Sequence, residues 1–292
     1  MLWTPWQDLS LDLPLPLESL RETLEGGQAF RWARIDSEPI WQGLWADCII
    51  RLQWEAPNLI RYSIPQSSDI QEAPIAKYLG FDRDWARLID TLPWRSDQRL
   101  AQAIDAFPGL RLLDQPFAET LLCFLCSATK QIPQIKAMCH NLAASLGSPI
   151  CGGLANALPT WERISEASED ELRALGLGFR ARNIKRTADR IAQYPYCLDR
   201  IEQLPYEEAK SELMKFPGVG SKIADCSLLF GAGKLKAFPV DTWILKTLQT
   251  RYELEGWKND QIERFGRAHF GSYAGYAQQF FFAFERSEAN KG

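Results

Sequence analysis

The hydrophobic period of this chain changes once, and that change fixes the class of fold open to it. Up to about residue 65 apolar and polar residues alternate. Phe30 and Trp32 alternate with Ala29, Arg31 and Ala33, and Ile50, Leu52 and Trp54 alternate with Arg51, Gln53 and Glu55. After the Ala56-Pro57-Asn58 break, Ile60, Tyr62 and Ile64 alternate with Arg61 and Ser63. A period of two bounded by turn residues is the mark of an antiparallel sheet with one solvated face. From about residue 97 the spacing becomes helical: Leu100, Ala103, Ile104 and Phe107 share one face, as do Phe117, Leu121, Leu122 and Leu125. Ser168 and Glu171 form a capping box ahead of Leu172, with Gly176 as a stop. The spacing predicts further helices over 131–146, 180–193, 206–215, 221–231, 241–252, 260–270 and 273–286. The expected fold is α+β, with an N-terminal antiparallel β-sheet domain over 1–97 and an all-helical region over 98–292.

At 292 residues the chain can bury a large core without disulfide or metal staples. No apolar run reaches the ~18–20 residues of a membrane span. The N-terminus lacks a basic segment leading into an apolar stretch, so an intracellular protein without a membrane partner is expected. Seven cysteines at irregular spacing read as reduced thiols. Cys123 and Cys126 read as two buried thiols, and Cys139-His140 offers no metal spacing. The 11 tryptophans read first as core packing. The net charge of −4 gives no general attraction to nucleic acid, so a DNA-binding role must rest on a local basic face. Arg180, Arg182, Lys185, Arg186 and Arg190, against the single acid Asp189, supply a candidate that is otherwise a solvated helix face.

The most informative stretch is Phe216-Pro217-Gly218-Val219-Gly220-Ser221-Lys222-Ile223-Ala224-Asp225-Cys226. Gly218 and Gly220 make a tight turn at a helix N-terminus, where outward N–H groups suit a phosphate; a plain helix–turn–helix corner also wants glycine. Lys222 and Cys226 are spaced i, i+4 and share a face. A lysine in a partly dry pocket beside a helix N-terminus loses ammonium stability, which an amine nucleophile requires. Asp241, after Phe238-Pro239-Val240, reads as an N-cap that can also face a cavity and stabilise positive charge.

The Pro-Gly-Val-Gly turn, the lysine and the Pro-Val-Asp segment resemble the helix-hairpin-helix DNA glycosylases with a Gly/Pro-rich loop and a catalytic Asp. Within them the chain is similar to the 8-oxoguanine DNA glycosylases with abasic-site lyase activity. The likeness includes Gly27-Gln28-Ala29-Phe30-Arg31-Trp32, the stretch from Gly109 to Phe117, Leu175 to Arg182, Tyr206 to Ala209, and Tyr273 to Phe282. It runs in order over roughly residues 20–286 and places the helix-hairpin-helix at about 206–231.

The resemblance implies that Lys222 attacks the sugar carbon bearing the base, that Asp241 assists it, and that a Schiff base followed by β-elimination cuts the strand. It implies a flipped base on Phe282 near Cys226, an edge contact from Gln278, and a Gly27 carbonyl accepting the N7 hydrogen of oxidised guanine. Phe179 maps to a wedge filling the vacated stack and Arg180 to a reader of the orphaned cytosine, with Gly218 and Gly220 on phosphate. The partner implied is duplex DNA containing an oxidised purine, and the expected protein is a monomer. No cofactor, catalytic metal or iron–sulfur cluster is implied; the family commonly binds a monovalent or calcium ion through main-chain carbonyls, here those of Met214, Phe216 and Val219. The sequence departs from the family pattern where a run of Asn is usual, with Ser127-Ala128-Thr129-Lys130-Gln131 instead. Gln134 replaces an Arg that grips the cytosine, and Trp243 replaces a His. Thr129 and Gln134 still offer hydrogen bonds, so a looser preference for cytosine is expected. Alternatives are an alkylated-base glycosylase, which Lys222 disfavours, and a non-catalytic DNA-binding protein, which would need none of Lys222, Cys226 and Asp241.

Overall fold

The alternating segments pair into a five-stranded antiparallel sheet of order β1-β5-β4-β3-β2. Its strands are β1 (Gln7–Ser10), β2 (Trp32–Ile35), β3 (Ile40–Trp45), β4 (Cys48–Ala56) and β5 (Leu59–Ser63). The computed structural model describes residues 3–11, 13–35, 39–68, 70 and 72–289. The outer ends of both expected domains, 1–2 and 290–292, lie outside the described residues. Trp41 pairs with Leu52 and Leu52 with Tyr62, a register that buries Trp32, Trp41, Trp45, Ile50, Leu52, Ile60 and Tyr62. Helix α1 (Leu17–Glu25) covers that face with Leu20 and Leu24, and α2 (Glu72–Tyr78) adds Ile75 and Tyr78. The Trp45 ring stacks on Tyr78 at a centroid distance of 3.9 Å, and the Trp32 indole N–H donates to the Tyr78 hydroxyl at 3.1 Å.

The second core is helical and is built from α3 (Trp85–Thr91), α4 (Gln98–Ala106), α5 (Phe117–Cys126), α6 (Ile132–Leu146), α7 (Trp161–Glu166) and α8 (Glu169–Leu172). It continues through α9 (Arg180–Gln193), α10 (Cys197–Gln203), α11 (Tyr206–Leu213), α12 (Ser221–Gly231), α13 (Thr242–Arg251), α14 (Asn259–Phe270) and α15 (Ala274–Ala289). Helix α5 lies at its centre, with every residue from Thr120 to Cys126 buried. Trp85 and Leu92, which precede residue 98, already belong to this core. Among the described residues no helix is long and apolar enough to cross a membrane.

Two expectations are corrected. The region before residue 65 is not all strand: α1 intervenes, and Ala29 and Phe30 precede β2 rather than lying in it. The helical region is not helical throughout, since Pro149–Ile150 (β6) and Ala155–Asn156 (β7) pair as a small antiparallel hairpin. Strands of two residues show no period, which is why they were unreadable. The expected capping box is present, with the Glu171 N–H donating to Ser168 Oγ at 3.2 Å and the Ser168 N–H to Glu171 Oε2 at 2.7 Å.

Two polar devices lock loop and helices in place. The side chain of buried Gln28 donates to the Arg111 carbonyl and accepts from the Leu113 N–H, both at 2.8 Å, while Gln115 Nε2 donates to the Gln28 carbonyl at 2.7 Å. The loop carrying Gly27 is thereby fixed to the segment between the two cores. The second device is a buried charge network. Lys210 on α11 lies 2.8 Å from Asp225 on α12 and 2.6 Å from Glu263 on α14. The Tyr206 hydroxyl donates to Asp225 at 2.7 Å, and Ser221 Oγ to Glu263 at 2.6 Å. Burial pushes the Asp225 carboxyl up to about 6 against the pull of Lys210. Lys210→Met strands two acids in a poorly solvated site, and chemical denaturation is expected to show a loss of about 3–5 kcal/mol; a change below 1 kcal/mol would show that the network does not hold the helices.

Candidate active site

The turn between α11 and α12 is shaped by Gly218. Its φ of +81° is a left-handed conformation, and a Cβ there would stand 2.9 Å from the Asn183 side chain. Gly220 has ordinary extended backbone and caps α12, and a Cβ on it would meet nothing within 4 Å. Thr187 Oγ1 on α9 donates to the Pro217 carbonyl at 3.1 Å and seats the turn against that helix.

Lys222 stands in the first turn of α12. Its ammonium donates to Ser127 Oγ at 3.3 Å and lies 5.2 Å from the Phe124 ring centroid. One turn on, Cys226 is buried with its sulfur in contact with that ammonium; burial pushes its thiol up to about 12, with Lys222 pulling the other way. Cys226 is therefore a protonated neighbour of the amine. Asp241 is the N-cap of α13 and accepts from the Ile244 N–H at 2.9 Å. The same carboxylate lines the cleft that holds Lys222, so the capping and cavity-facing readings of the sequence are both met. Burial raises its pKa above the usual 3.8, opposed by the Ile244 N–H and by Lys222.

The cleft, about 1380 Å³, also brings together Gly27, Thr129, Gly218, Gly220 and Phe282. Gly27 has φ +97°, and a Cβ on it would stand 2.9 Å from Ile132 Cδ1 and 4.0 Å from Phe282 Cε1. Only glycine leaves that wall open. Phe280 and Phe281 are buried in the core, whereas Phe282 lines the cleft. Gln278 is buried one turn before Phe282, with its side-chain oxygen accepting from Gln279 Nε2 at 2.8 Å.

Phe179 is 59% exposed, at the tip of a turn formed by Gly176 and Gly178 at positive φ. Arg180 is buried beneath it at 4.3 Å from the ring centroid. Its guanidinium donates to the Ala128 carbonyl, to the Leu177 carbonyl at 3.3 Å and to Thr129 Oγ1 at 3.0 Å. It thus clamps the α5–α6 loop, in which Thr129 has φ +55°. Gln134 is exposed and its oxygen accepts from the Gln131 N–H at 3.2 Å, capping α6 rather than lining the cleft. Trp243 is 40% exposed and does line the cleft. The carbonyl of Phe216 accepts from the Val219 N–H at 3.1 Å, and Arg190 donates to the Lys215 carbonyl at 2.8 Å, beside exposed Met214. Among the described residues no three His, Cys, Asp or Glu side chains converge as a metal-binding group.

Sequence reasoning missed Gln28, which fixes Gly27, and the Lys210 network, which fixes the turn. Gln28 stood inside a recognised motif and was a readable signal; Lys210, Asp225 and Glu263 lie in three separate helices and were not. The state of Cys226 is directly testable: native protein treated with iodoacetamide at pH 8 is expected to leave Cys226 unmodified until denaturant is added, and rapid native labelling would contradict a buried, protonated thiol.

The chain is similar to known proteins over its whole length. Residues 12–121 match the family model of the 8-oxoguanine DNA glycosylase N-terminal domain, and residues 122–268 match that of HhH-GPD superfamily base excision DNA repair proteins. The N-glycosylase/DNA lyase of Saccharomyces cerevisiae is 28% identical, covering 91% of this chain and 83% of its own. The Clostridium acetobutylicum 8-oxoguanine glycosylase/lyase, solved with double-stranded DNA containing cytosine opposite 8-oxoguanine, superposes with a TM-score of 0.86 at 30% identity, over 99% of this chain and 100% of that one. The 3-methyladenine DNA glycosylase of Archaeoglobus fulgidus shares the fold at a TM-score of 0.74 and 17% identity.

Proposed function

The chain belongs to the HhH-GPD superfamily of base excision DNA repair proteins, with the N-terminal domain of 8-oxoguanine DNA glycosylases, and we propose that Lys222 and Asp241 are its catalytic pair. It is a DNA glycosylase with abasic-site lyase activity that excises 8-oxoguanine from duplex DNA. The observation that carries the residue assignment is the meeting of the Lys222 amine and the Asp241 carboxylate in one cleft with Gly27 and Phe282.

A base inside the stack exposes neither its glycosidic bond nor its Watson–Crick edge, so the target nucleotide must flip out. Phe282 offers the ring on which the base lies, with Cys226 toward its other face and Gln278 toward its edge. The Gly27 carbonyl accepts the N7 hydrogen that oxidised guanine alone carries. The Lys222 amine, having released one proton to water, attacks C1′, the C1′–N9 bond breaks with its electron pair leaving on the purine, and the Asp241 carboxylate stabilises the positive charge that develops on the sugar. Breaking of the C1′–O4′ bond, with its electron pair leaving on the ring oxygen, turns the adduct into a Schiff base, and loss of a C2′ proton then expels the 3′ phosphate by β-elimination, which cuts the strand. Phe179 fills the vacated stack at the cost of unstacking. Arg180 on α9 and Thr129 on the loop it clamps face the orphaned base, with Gln134 at the loop's edge. The N–H groups of Gly218 and Gly220 receive a backbone phosphate at the N-terminus of α12. The carbonyls of Met214, Phe216 and Val219 suit a hard monovalent or calcium ion; such an ion would join Arg190 in adding positive charge to this turn, and no chemical step runs through it.

Borohydride trapping on duplexes with 8-oxoguanine opposite each of the four bases tests the nucleophile. Wild-type protein is expected to give a covalent adduct that Lys222→Gln abolishes, with adducts opposite bases other than cytosine as well; an adduct surviving in the variant would place the nucleophile elsewhere. Asp241→Asn is expected to slow single-turnover excision by on the order of 10²–10⁴-fold. The working form of Asp241 is the carboxylate, and burial raises its pKa. Excision should therefore fall as pH drops through a value above 3.8, and the pH–rate profile should lose that acid limb in Asp241→Asn.

A further inference from the structure

Lys136 takes no part in the roles assigned above, yet it lines the base-facing wall of the cleft. It stands one turn after Ile132 on α6, and i, i+4 spacing puts both on one face. Ile132 is the side chain that meets Gly27, and Phe282 closes the same corner. The Lys136 ammonium donates to the Trp32 carbonyl at 2.7 Å, which commits one of three donors to a neutral partner. Two neighbouring arginines are matched to acids, while Lys130, also on the cleft wall, forms no ion pair among the described residues. Arg286, one turn after Phe282, lies 2.5 Å from Glu22, and Arg21 lies 3.5 Å from Glu25. Lys136 forms no ion pair among the described residues. Burial lowers its pKa, opposed by Glu25 and aided by Arg286, as fits an ammonium in a poorly solvated wall.

We propose that Lys136 faces the departing base and stabilises the negative charge that grows on the purine as it leaves. The inference rests on the reading that the Gly27–Phe282 corner receives the flipped base. As Lys222 forms its bond to C1′, the C1′–N9 electron pair passes to N9 and spreads over the purine to its carbonyl oxygens. Lys136 keeps its proton throughout, and water later protonates the released base. A fixed ammonium attracts that anion more strongly than the neutral ground-state base, so its effect falls on the rate of excision. The β-elimination step has no departing base and does not need this charge.

The test compares two reactions of the full-length protein. Lys136→Gln can still donate to the Trp32 carbonyl but carries no charge. It is expected to slow single-turnover excision of 8-oxoguanine by on the order of 10²-fold, while strand cleavage at a preformed abasic site proceeds at the wild-type rate. Lys136→Arg is expected to recover most of the excision rate. Unchanged excision in Lys136→Gln, or equal loss in both reactions, would overturn the proposal. Phe282→Ala on the same duplex keeps the two readings apart. If it slows excision while Lys136→Gln does not, the pocket stands and the role of Lys136 fails; if neither slows it, the base lies elsewhere and both fail.

Discussion

A buried ammonium with two carboxylates around it is the interaction on which the rest of this structure depends. Lys210 is held between Asp225 and Glu263, and none of the three can leave without stranding the others in a poorly solvated site. Because the bonds are short and directional, they fix where α11, α12 and α14 cross. Ser221, which also donates to Glu263, is the residue before Lys222. The direction in which Lys222 leaves its helix is thus set from the far side of the hairpin, by groups outside the cleft. Leucines of similar volume would pack as tightly but would not specify that direction.

The cleft itself lies where the two cores meet. Gly27 comes from the loop between α1 and β2, Lys222 and Asp241 from the helical core, and Phe282 from the last helix. Gln28 joins these halves through three hydrogen bonds to residues 111–115. On the proposed roles only Gly27 among the base contacts comes from outside the helical core that carries Lys222 and Asp241, so the seam must be rigid for all of them to act on one nucleotide. The low polarity of the seam also tunes the groups inside it: burial holds Cys226 as a thiol and raises Asp241, while the helix amide and Lys222 pull Asp241 back toward its charged form.

How much of this was legible depends on where each signal lies along the chain. The sheet and the long helices showed their periods because each presents one buried face, and α9, α12 and α6 fall within a residue of the ranges their spacing predicts. Helix α1 was hidden because its Leu17, Leu20 and Leu24 come after the alternating Leu11 to Leu17 run, which imitates a strand. Lys222, Asp241, Gly27 and Phe282, which meet in one cleft, could be singled out because each sits in a contiguous motif, the last two through the family resemblance. Lys210, Asp225 and Glu263 were not, because their meaning is a mutual distance that only the folded chain creates. Arg180 was readable as a cation and unreadable as a clamp, for the same reason.

The acidic total charge and the DNA-binding role are reconciled by how the cations are partnered rather than by how many there are. Away from the cleft, several basic side chains are matched to acids close by in sequence: Arg163 to Glu166, Arg173 to Glu169, Arg264 to Asp260 and Lys215 to Glu212. Such exposed pairs add little stability, but they cancel the field at those faces. Along α9 the pattern breaks. Lys185 is cancelled by Asp189, while Arg182 and Arg186 are exposed and form no ion pair among the described residues. They come directly after exposed Phe179 and run beside the glycine turn that Thr187 anchors. Two unpaired arginines thus remain beside exposed Phe179 and the Gly218–Gly220 turn, and a phosphate backbone approaching there meets a local field opposite in sign to that of the whole molecule.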